Sequence, residues 1–125
     1  MSRIYGNLRE RTFDFAVSVL GLVDHLPRNP KAWVLERQLI RSATSIGANV
    51  READNALTTA EFVHRCSIAR KEAAETHYWL ELLERSGVLQ NQRTDELIHE
   101  SLELTKVLSA VVRNTQNRQN PTPDS

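Results

Sequence analysis

Apolar side chains recur at three- and four-residue spacing along most of the chain, which is the period of an α-helix buried on one side. Residues 8–26 predict a first helix with two adjacent apolar rows. The rows are Phe13, Ala16, Leu20 and Val23, and Phe15, Val19, Leu22 and Leu26. The segment 26–30 contains two prolines and ends this helix. Asn29 followed by Pro30 predicts an N-cap and the first position of a second helix, about 24 residues long.

A capping box predicts where a third helix begins. Thr58 offers its hydroxyl and Glu61 its carboxylate to the first backbone amides. A heptad seam follows, with small residues in the middle that allow a neighbouring helix to come close. Its members are Phe62, Cys66, Ala69, Ala73, Thr76, Leu80 and Leu83. The helix is predicted to end near Ser86 and Gly87, since glycine accepts the left-handed conformation that closes many helices.

A polar connection over residues 88–94 precedes the fourth predicted helix, with Thr94 as its cap. The apolar row of this helix is Leu97, Ser101, Leu104, Leu108 and Val111. We therefore predict one bundle domain over residues 1–116 and a disordered C-terminal tail over residues 117–125, where little is available to bury.

The composition agrees with a helical protein. Among 125 residues, 40% are hydrophobic and only 4 are glycine and 4 proline, too few turn-forming residues for an all-β chain. Four helices with short loops predict an all-α, antiparallel up-down-up-down four-helix bundle. The chain has neither an apolar run long enough for a membrane span nor a leader pattern, so we expect no membrane association and a cytoplasmic protein.

Polar and small residues form a second row along helix two, beside its apolar row. In an antiparallel pair that turns near residue 56, Arg41 would lie level with Glu72 and Glu75 of helix three. The row is either an ordinary solvated surface or a hydrogen-bonded ladder that fixes register and subunit geometry, because buried charges must be paired. The candidate interface residues are Gln38, Arg41, Ser42, Ser45, Asn49, Glu52, Glu72 and Glu75.

The chain carries more large apolar residues than one seam per helix can use. Trp33 and Val34 begin helix two, and Tyr78, Trp79 and Leu82 flank the seam of helix three. Packing at the end of the bundle is one explanation for Trp79. The other is a contact between copies of the chain, because identical subunits can bury such faces without a separate partner. We therefore predict a homo-oligomer.

Candidate catalytic and metal sites are weak. Two Glu-x-x-His motifs, Glu61 with His64 and Glu96 with His99, have the spacing used in di-metal bundles. Both lie in first turns of antiparallel helices, about 30 Å apart by the rise per residue, so they cannot share a metal. Cys66 on the seam is predicted to be an inert buried thiol, and no nucleophile with a matched base can be found. We predict no metal, no cofactor and no enzymatic activity.

Charge is neutral in total but uneven along the chain. Residues 1–51 carry 8 basic and 4 acidic side chains, whereas residues 52–105 carry 5 and 11. In an up-down bundle the chain termini share one end with the turn between helices two and three. That end could contact nucleic-acid phosphates, although acidic side chains there would offset its charge. The candidate contacts are Arg3, Arg9, Arg11, Arg51, Arg65 and Arg113.

Two segments resemble the 23S ribosomal RNA intervening-sequence proteins of bacteria. The family pattern on helix two is matched by Gln38, Leu39, Arg41, Ser42, Ser45, Ile46, Asn49, Val50 and Glu52, with Ala53 where glycine is usual. The second segment spans residues 62–83, and the similarity covers roughly residues 8–112.

The resemblance implies antiparallel four-helix bundles that assemble as homopentameric rings and have no attributed catalysis. Relatives that are accessory factors of diversity-generating retroelements are strongly basic, whereas this chain has a net charge of zero. We therefore expect an oligomeric scaffold or accessory factor associated with RNA or ribonucleoprotein. The alternative is a protein that binds nucleic acid directly through its basic end.

Overall fold

The protein is described here by a computed structural model covering residues 6–119. These residues form four α-helices and no β-strand. The helices are α1 (Leu8–Val23), α2 (Pro30–Asp54), α3 (Thr59–Arg85) and α4 (Gln92–Gln119). The all-α class and the four helices predicted from the sequence are confirmed.

The first residues of α2 and α3 are capped as the sequence indicates. The Asn29 side chain accepts a hydrogen bond of 2.8 Å from the Ala32 amide, and Pro30 opens the helix. The Thr58 hydroxyl accepts from the Glu61 amide at 3.1 Å, while the Glu61 carboxylate accepts from the Leu57 amide at 3.3 Å. These bonds satisfy amides that have no partner within the helix.

Three helix boundaries differ from the prediction. α1 ends at Val23 rather than near residue 26, since Pro27 disfavours the helical conformation of the residue before it. α4 begins at Gln92 because the Asn91 side chain, not Thr94, accepts the capping bond, at 2.8 Å from the Thr94 amide. α4 also continues to Gln119, past the boundary predicted at residue 116. The rest of the predicted tail, from residue 120, lies outside the described residues.

Four neighbouring pairs of helices enclose one core. α2 packs against α1 and α3, α4 packs against α3, and α1 also contacts α4. Small residues on α2 and α3 are fully buried and bring these two helices close together; they are Ala43, Ala69 and Ala73. The largest fully buried side chains are Phe62, Leu22, Leu39, Ile46, Leu80, Leu83, Leu104 and Leu108.

Only part of the wide apolar face predicted for α1 is buried. Phe15, Val19 and Leu22 enter the core, whereas Phe13 and Leu20 of the other row remain exposed. The exposed row lies beside α2 at the edge of the α1–α2 pair, where no other helix within residues 6–119 covers it. The exposed row borders the candidate site described next.

Candidate subunit interface

A pair of buried hydroxyls joins α2 to α3. Thr76 Oγ1 donates to Ser42 Oγ at 2.9 Å, and both residues are fully buried. Ser42 Oγ is also 3.3 Å from the Leu39 carbonyl, and Thr76 Oγ1 is 2.7 Å from the Glu72 carbonyl. Both polar groups therefore have partners inside the core, which avoids the cost of burying an unpaired hydroxyl.

The outer edge of the same flank is closed by a charged cluster around Arg41. Its guanidinium lies 3.2 Å from the Glu72 carboxylate and also contacts Glu75. Gln38 accepts from Arg41 Nε at 3.4 Å, and Trp79 Nε1 donates to Glu75 at 3.0 Å. The Arg41 side chain is 48% exposed, so this cluster is a partly solvated network rather than a buried ladder.

The remaining members of the polar row mostly serve their own helix. Ser45 Oγ donates to the Arg41 carbonyl at 2.8 Å, and Asn49 Nδ2 donates to the Ser45 carbonyl at 2.9 Å. Asn49 Oδ1 also accepts from Arg65 of α3 at 3.3 Å, while Glu52 is exposed. Within one subunit, the polar row thus bonds partly along α2 and partly to α3.

The other flank of α2 is apolar and open. Phe13, Val17 and Leu20 of α1, here called the α1 strip, are 51%, 54% and 44% exposed. Together with Ala16 they line a groove of about 340 Å³ whose α2 wall is Thr44, Gly47, Ala48 and Arg51. The small α2 residues leave space beside the strip. A surface of adjacent large apolar side chains over an open groove is typical of a protein contact.

Arg51 ends this groove. Its guanidinium carbon lies 5.1 Å from the centre of the Phe13 ring, a cation–π arrangement. Arg9, one turn before Phe13, forms an ion pair of 3.1 Å with Asp54 at the end of α2. Arg9 and Arg51 also share a groove with Glu10 and Asp14, so the charge at this end of the molecule is mixed.

A second apolar patch lies at the start of α2. Trp33 and Val34, here called the α2-start patch, are 55% and 61% exposed. They line a groove of about 320 Å³ with Pro30, Arg37 and Gln38. Trp79, by contrast, is partly buried against the core, which corresponds to the packing explanation for that residue.

Four of the arginines considered for nucleic-acid contact have partners within the subunit. Arg11 forms two bonds of 2.7 Å to the Glu100 carboxylate of α4, and this bonding raises the pKa of Arg11 above its ordinary value. Arg65 lies against Asn49 of α2, and Arg113 is exposed on α4. Arg3 lies outside the described residues. Of the candidate set, Arg9 and Arg51 line a common groove.

Ser101, His77 and Glu81 contact one another in the order of a catalytic triad, but the serine is not exposed to solvent. His77 Nδ1 is 3.0 Å from Ser101 Oγ, and Nε2 is 3.1 Å from the Glu81 carboxylate. Ser101 is fully buried, and its hydroxyl donates to the Ile98 carbonyl at 2.8 Å. A nucleophile must reach its substrate. These groups therefore tie α3 to α4 and present no reactive hydroxyl.

Neither Glu-x-x-His motif is joined by a further metal-ligating side chain among the described residues. Across residues 6–119 no three His, Cys, Asp or Glu side chains are grouped so that they could hold a metal ion. Cys66 is buried, and its burial raises the pKa of the thiol to about 11. Over the same stretch, no helix has both the length and the apolar character needed to cross a membrane.

Residues 7–110 match the family model described as 23S rRNA-intervening sequence protein. The chain belongs to this family. The resemblance seen in the sequence is thereby confirmed, and the matched segment includes α1, α2 and α3 with part of α4.

A solved structure agrees with the family assignment. A crystal structure from Bacteroides thetaiotaomicron, described as a protein with unknown function from the S23 ribosomal protein family, is similar at a TM-score of 0.77 and 38% sequence identity. The similarity covers 85% of this chain and 95% of that one. No curated protein matches the chain.

Proposed function

We propose that this family member is a non-enzymatic homo-oligomer whose assembly serves as a scaffold or accessory factor associated with RNA or ribonucleoprotein. The observation that carries the proposal is the α1 strip, an exposed apolar row beside an open groove. A monomer would leave this surface in water, whereas a neighbouring copy would bury it.

The contacts between helices support an antiparallel up-down-up-down bundle as the subunit. On α2 and α3, Arg41 meets Glu72 while Asn49, further along α2, meets the earlier residue Arg65. Pairs whose numbers change in opposite directions are those of antiparallel helices. The connections of a few residues between successive helices favour the same arrangement.

A pentameric ring is the assembly that the family resemblance implies. A closed ring uses a head-to-tail contact repeated around an axis, so each subunit must present two different surfaces. The α1 strip and the α2-start patch provide two exposed apolar surfaces that could serve in this way.

The scaffold role is favoured over direct binding of nucleic acid. Arg9 and Arg11, both candidates for phosphate contact, are paired with Asp54 and Glu100 inside the subunit. The chain also has 16 basic and 16 acidic residues, which gives no overall attraction for a polyanion. We therefore propose contact with RNA mainly through a protein partner, in the cytoplasm.

Two measurements test this proposal. Light scattering over a series of protein concentrations should give a mass several times that of the 14.3 kDa chain. Tagged protein isolated from its natural host, with and without nuclease treatment, should retain the same polypeptides. A folded protein of monomer mass would contradict the oligomer. RNA retained without other polypeptides, released by salt and lost in an Arg113→Glu variant, would establish the direct-binding alternative instead.

A further inference from the structure

We infer that the α1 strip of one copy docks on the α2-start patch of another copy, so that these two exposed apolar surfaces are partners of each other. This inference rests on the proposed homo-oligomer and identifies the surface that fills the α1–α2 groove. Two observations support the inference. Both surfaces have exposed apolar side chains beside a groove, and the charged residues around the two surfaces have opposite signs.

The two surfaces have matching apolar character. Each combines exposed large side chains with a shallow groove, and the groove volumes are about 340 Å³ at the strip and about 320 Å³ at the patch. Trp33 and Val34 lie in the first turns of α2, and both side chains are more than half exposed in the described part of the subunit. Protruding side chains on one surface could therefore occupy the groove of the other.

The strip is bordered by acidic residues. Glu10 and Asp14 are exposed on α1, within one turn of Phe13 or Val17, and have no ion pair within residues 6–119. Arg9 in the same region is paired with Asp54. Arg51 is the neighbouring cation, and it is stacked over Phe13. The unpaired charge at the strip is therefore negative in sum.

The α2-start patch is bordered by basic residues. Lys31 and Arg37 are both exposed, and neither forms an ion pair within the described part of the chain. Arg37 lines the groove beside Trp33 and Val34. On its other side, Trp33 lines a second groove with Arg28, Glu36 and Asp24. Counted together with Lys31 and Arg37, the charges around the patch are positive in sum.

These charges favour contact between unlike surfaces. Strip against strip would place Glu10 and Asp14 near their own counterparts, and patch against patch would bring Lys31 and Arg37 together. Strip against patch places opposite charges around an apolar centre, the usual arrangement of a specific interface. The contact can close as a ring, or as a two-fold dimer that contains it twice.

Charge reversal tests the pairing. One variant carries Glu10→Lys and Asp14→Lys, a second carries Lys31→Glu and Arg37→Glu, and a third carries all four changes. We expect each double variant to lose assembly, with a light-scattering mass near 14.3 kDa, and the quadruple variant to regain the wild-type mass. Lys106→Glu, a reversal at an exposed α4 position, is the matched control and should not change the mass.

Mixing two apolar variants provides an independent test. Val17→Glu breaks the strip and Val34→Glu breaks the patch, so each variant alone should be monomeric. An equimolar mixture still contains one intact strip and one intact patch, and we expect a one-to-one complex of twice the chain mass. Circular dichroism should show that both variants retain the helical content of the wild type.

The outcomes separate the inference from the proposed function. A monomeric wild type overturns both. An oligomeric wild type whose mass is unchanged by the Lys31/Arg37 reversal or by Val34→Glu overturns the inference and leaves the oligomer intact. Failure of the quadruple variant to reassemble, or of the two apolar variants to pair, also overturns it. The inference is supported if the quadruple variant regains the wild-type mass and the two apolar variants form a one-to-one complex.

Discussion

The two flanks of α2 have opposite character. Toward α3, Ser42 bonds to Thr76 in the core and Arg41 meets two carboxylates at the edge. Toward α1, Gly47 and Ala48 face the α1 strip across an open groove. The first flank has polar groups with partners inside the subunit, whereas the second leaves apolar surface in contact with water.

This difference separates two roles that one helix can have. Hydrogen bonds and ion pairs on the α3 flank have directional geometry, so they fix how α2 and α3 are aligned. The α1 flank has small residues and exposed apolar side chains, which add affinity for another surface without fixing a partner within the chain. We expect changes on the α3 flank to affect folding stability and changes on the α1 flank to affect assembly.

The largest expected effect is the loss of assembly in the Val17→Glu variant. A carboxylate in the centre of the α1 strip would have to be buried without a partner when copies dock. Sedimentation should show monomers with unchanged circular dichroism. Ser18→Glu is the matched control, since Ser18 is exposed on the same helix but does not line the groove, and it should assemble normally. If both variants assemble equally well, the α1 strip is not part of the interface.

The buried hydroxyl pair should give the largest change in folding stability. Thr76→Val removes the donor to Ser42 while keeping the side-chain volume, and we expect a loss of about 1–3 kcal/mol in the free energy of unfolding. The double variant Ser42→Ala/Thr76→Val should lose less than the sum of the two single changes, because neither partner is left unpaired. Urea unfolding at matched protein concentration measures both. Strict additivity would show that the pair does not couple α2 to α3.

The Arg41 cluster should contribute less. A buried pair would lose about 2–4 kcal/mol on Arg41→Ala, since the partner charge is stranded. Arg41 is about half exposed, so we expect a loss of about 0.5–1 kcal/mol that shrinks in high salt. Lys106→Ala, a change at an exposed α4 position outside both proposed docking surfaces and without an ion pair in the described residues, is the control for stability. A loss above about 2 kcal/mol would mean that assembly buries the Arg41 cluster.

The smallest expected change is a gain at Gly47. A Cβ added there would lie 3.5 Å from Thr12 atoms, an ordinary contact distance. Gly47→Ala should therefore raise the free energy of unfolding by about 0.5–1 kcal/mol through its greater helix propensity. A loss of stability in urea unfolding would show that α1 cannot accept a methyl group on this flank.

Local signals in the sequence predicted α2 and α3 well. Asn29 with Pro30, and Thr58 with Glu61, mark helix starts through bonds to nearby amides, which depend only on neighbouring residues. The start of α4 was misplaced because Asn91 and Thr94 are both competent caps, and the pattern of apolar residues does not choose between them.

The features that depend on packing could not be predicted in the same way. Periodicity identified two apolar rows on α1, but it does not say which row a neighbouring helix covers, so Phe13 and Leu20 were assigned to a buried face. The Arg11–Glu100 pair joins the first and last helices, and it requires knowledge of how α1 lies against α4. The His77–Ser101 contact similarly depends on the register of α3 against α4.

The central claim is that another copy covers the α1 strip, and thiol reactivity tests it most directly. The only native cysteine, Cys66, is buried with a raised thiol pKa and should not react, so a Val17→Cys variant reports on the strip alone. We predict that this thiol reacts far more slowly than that of a Ser18→Cys variant at the same pH, and that dilution into the monomer range abolishes the difference. Equal rates at high protein concentration would contradict the account.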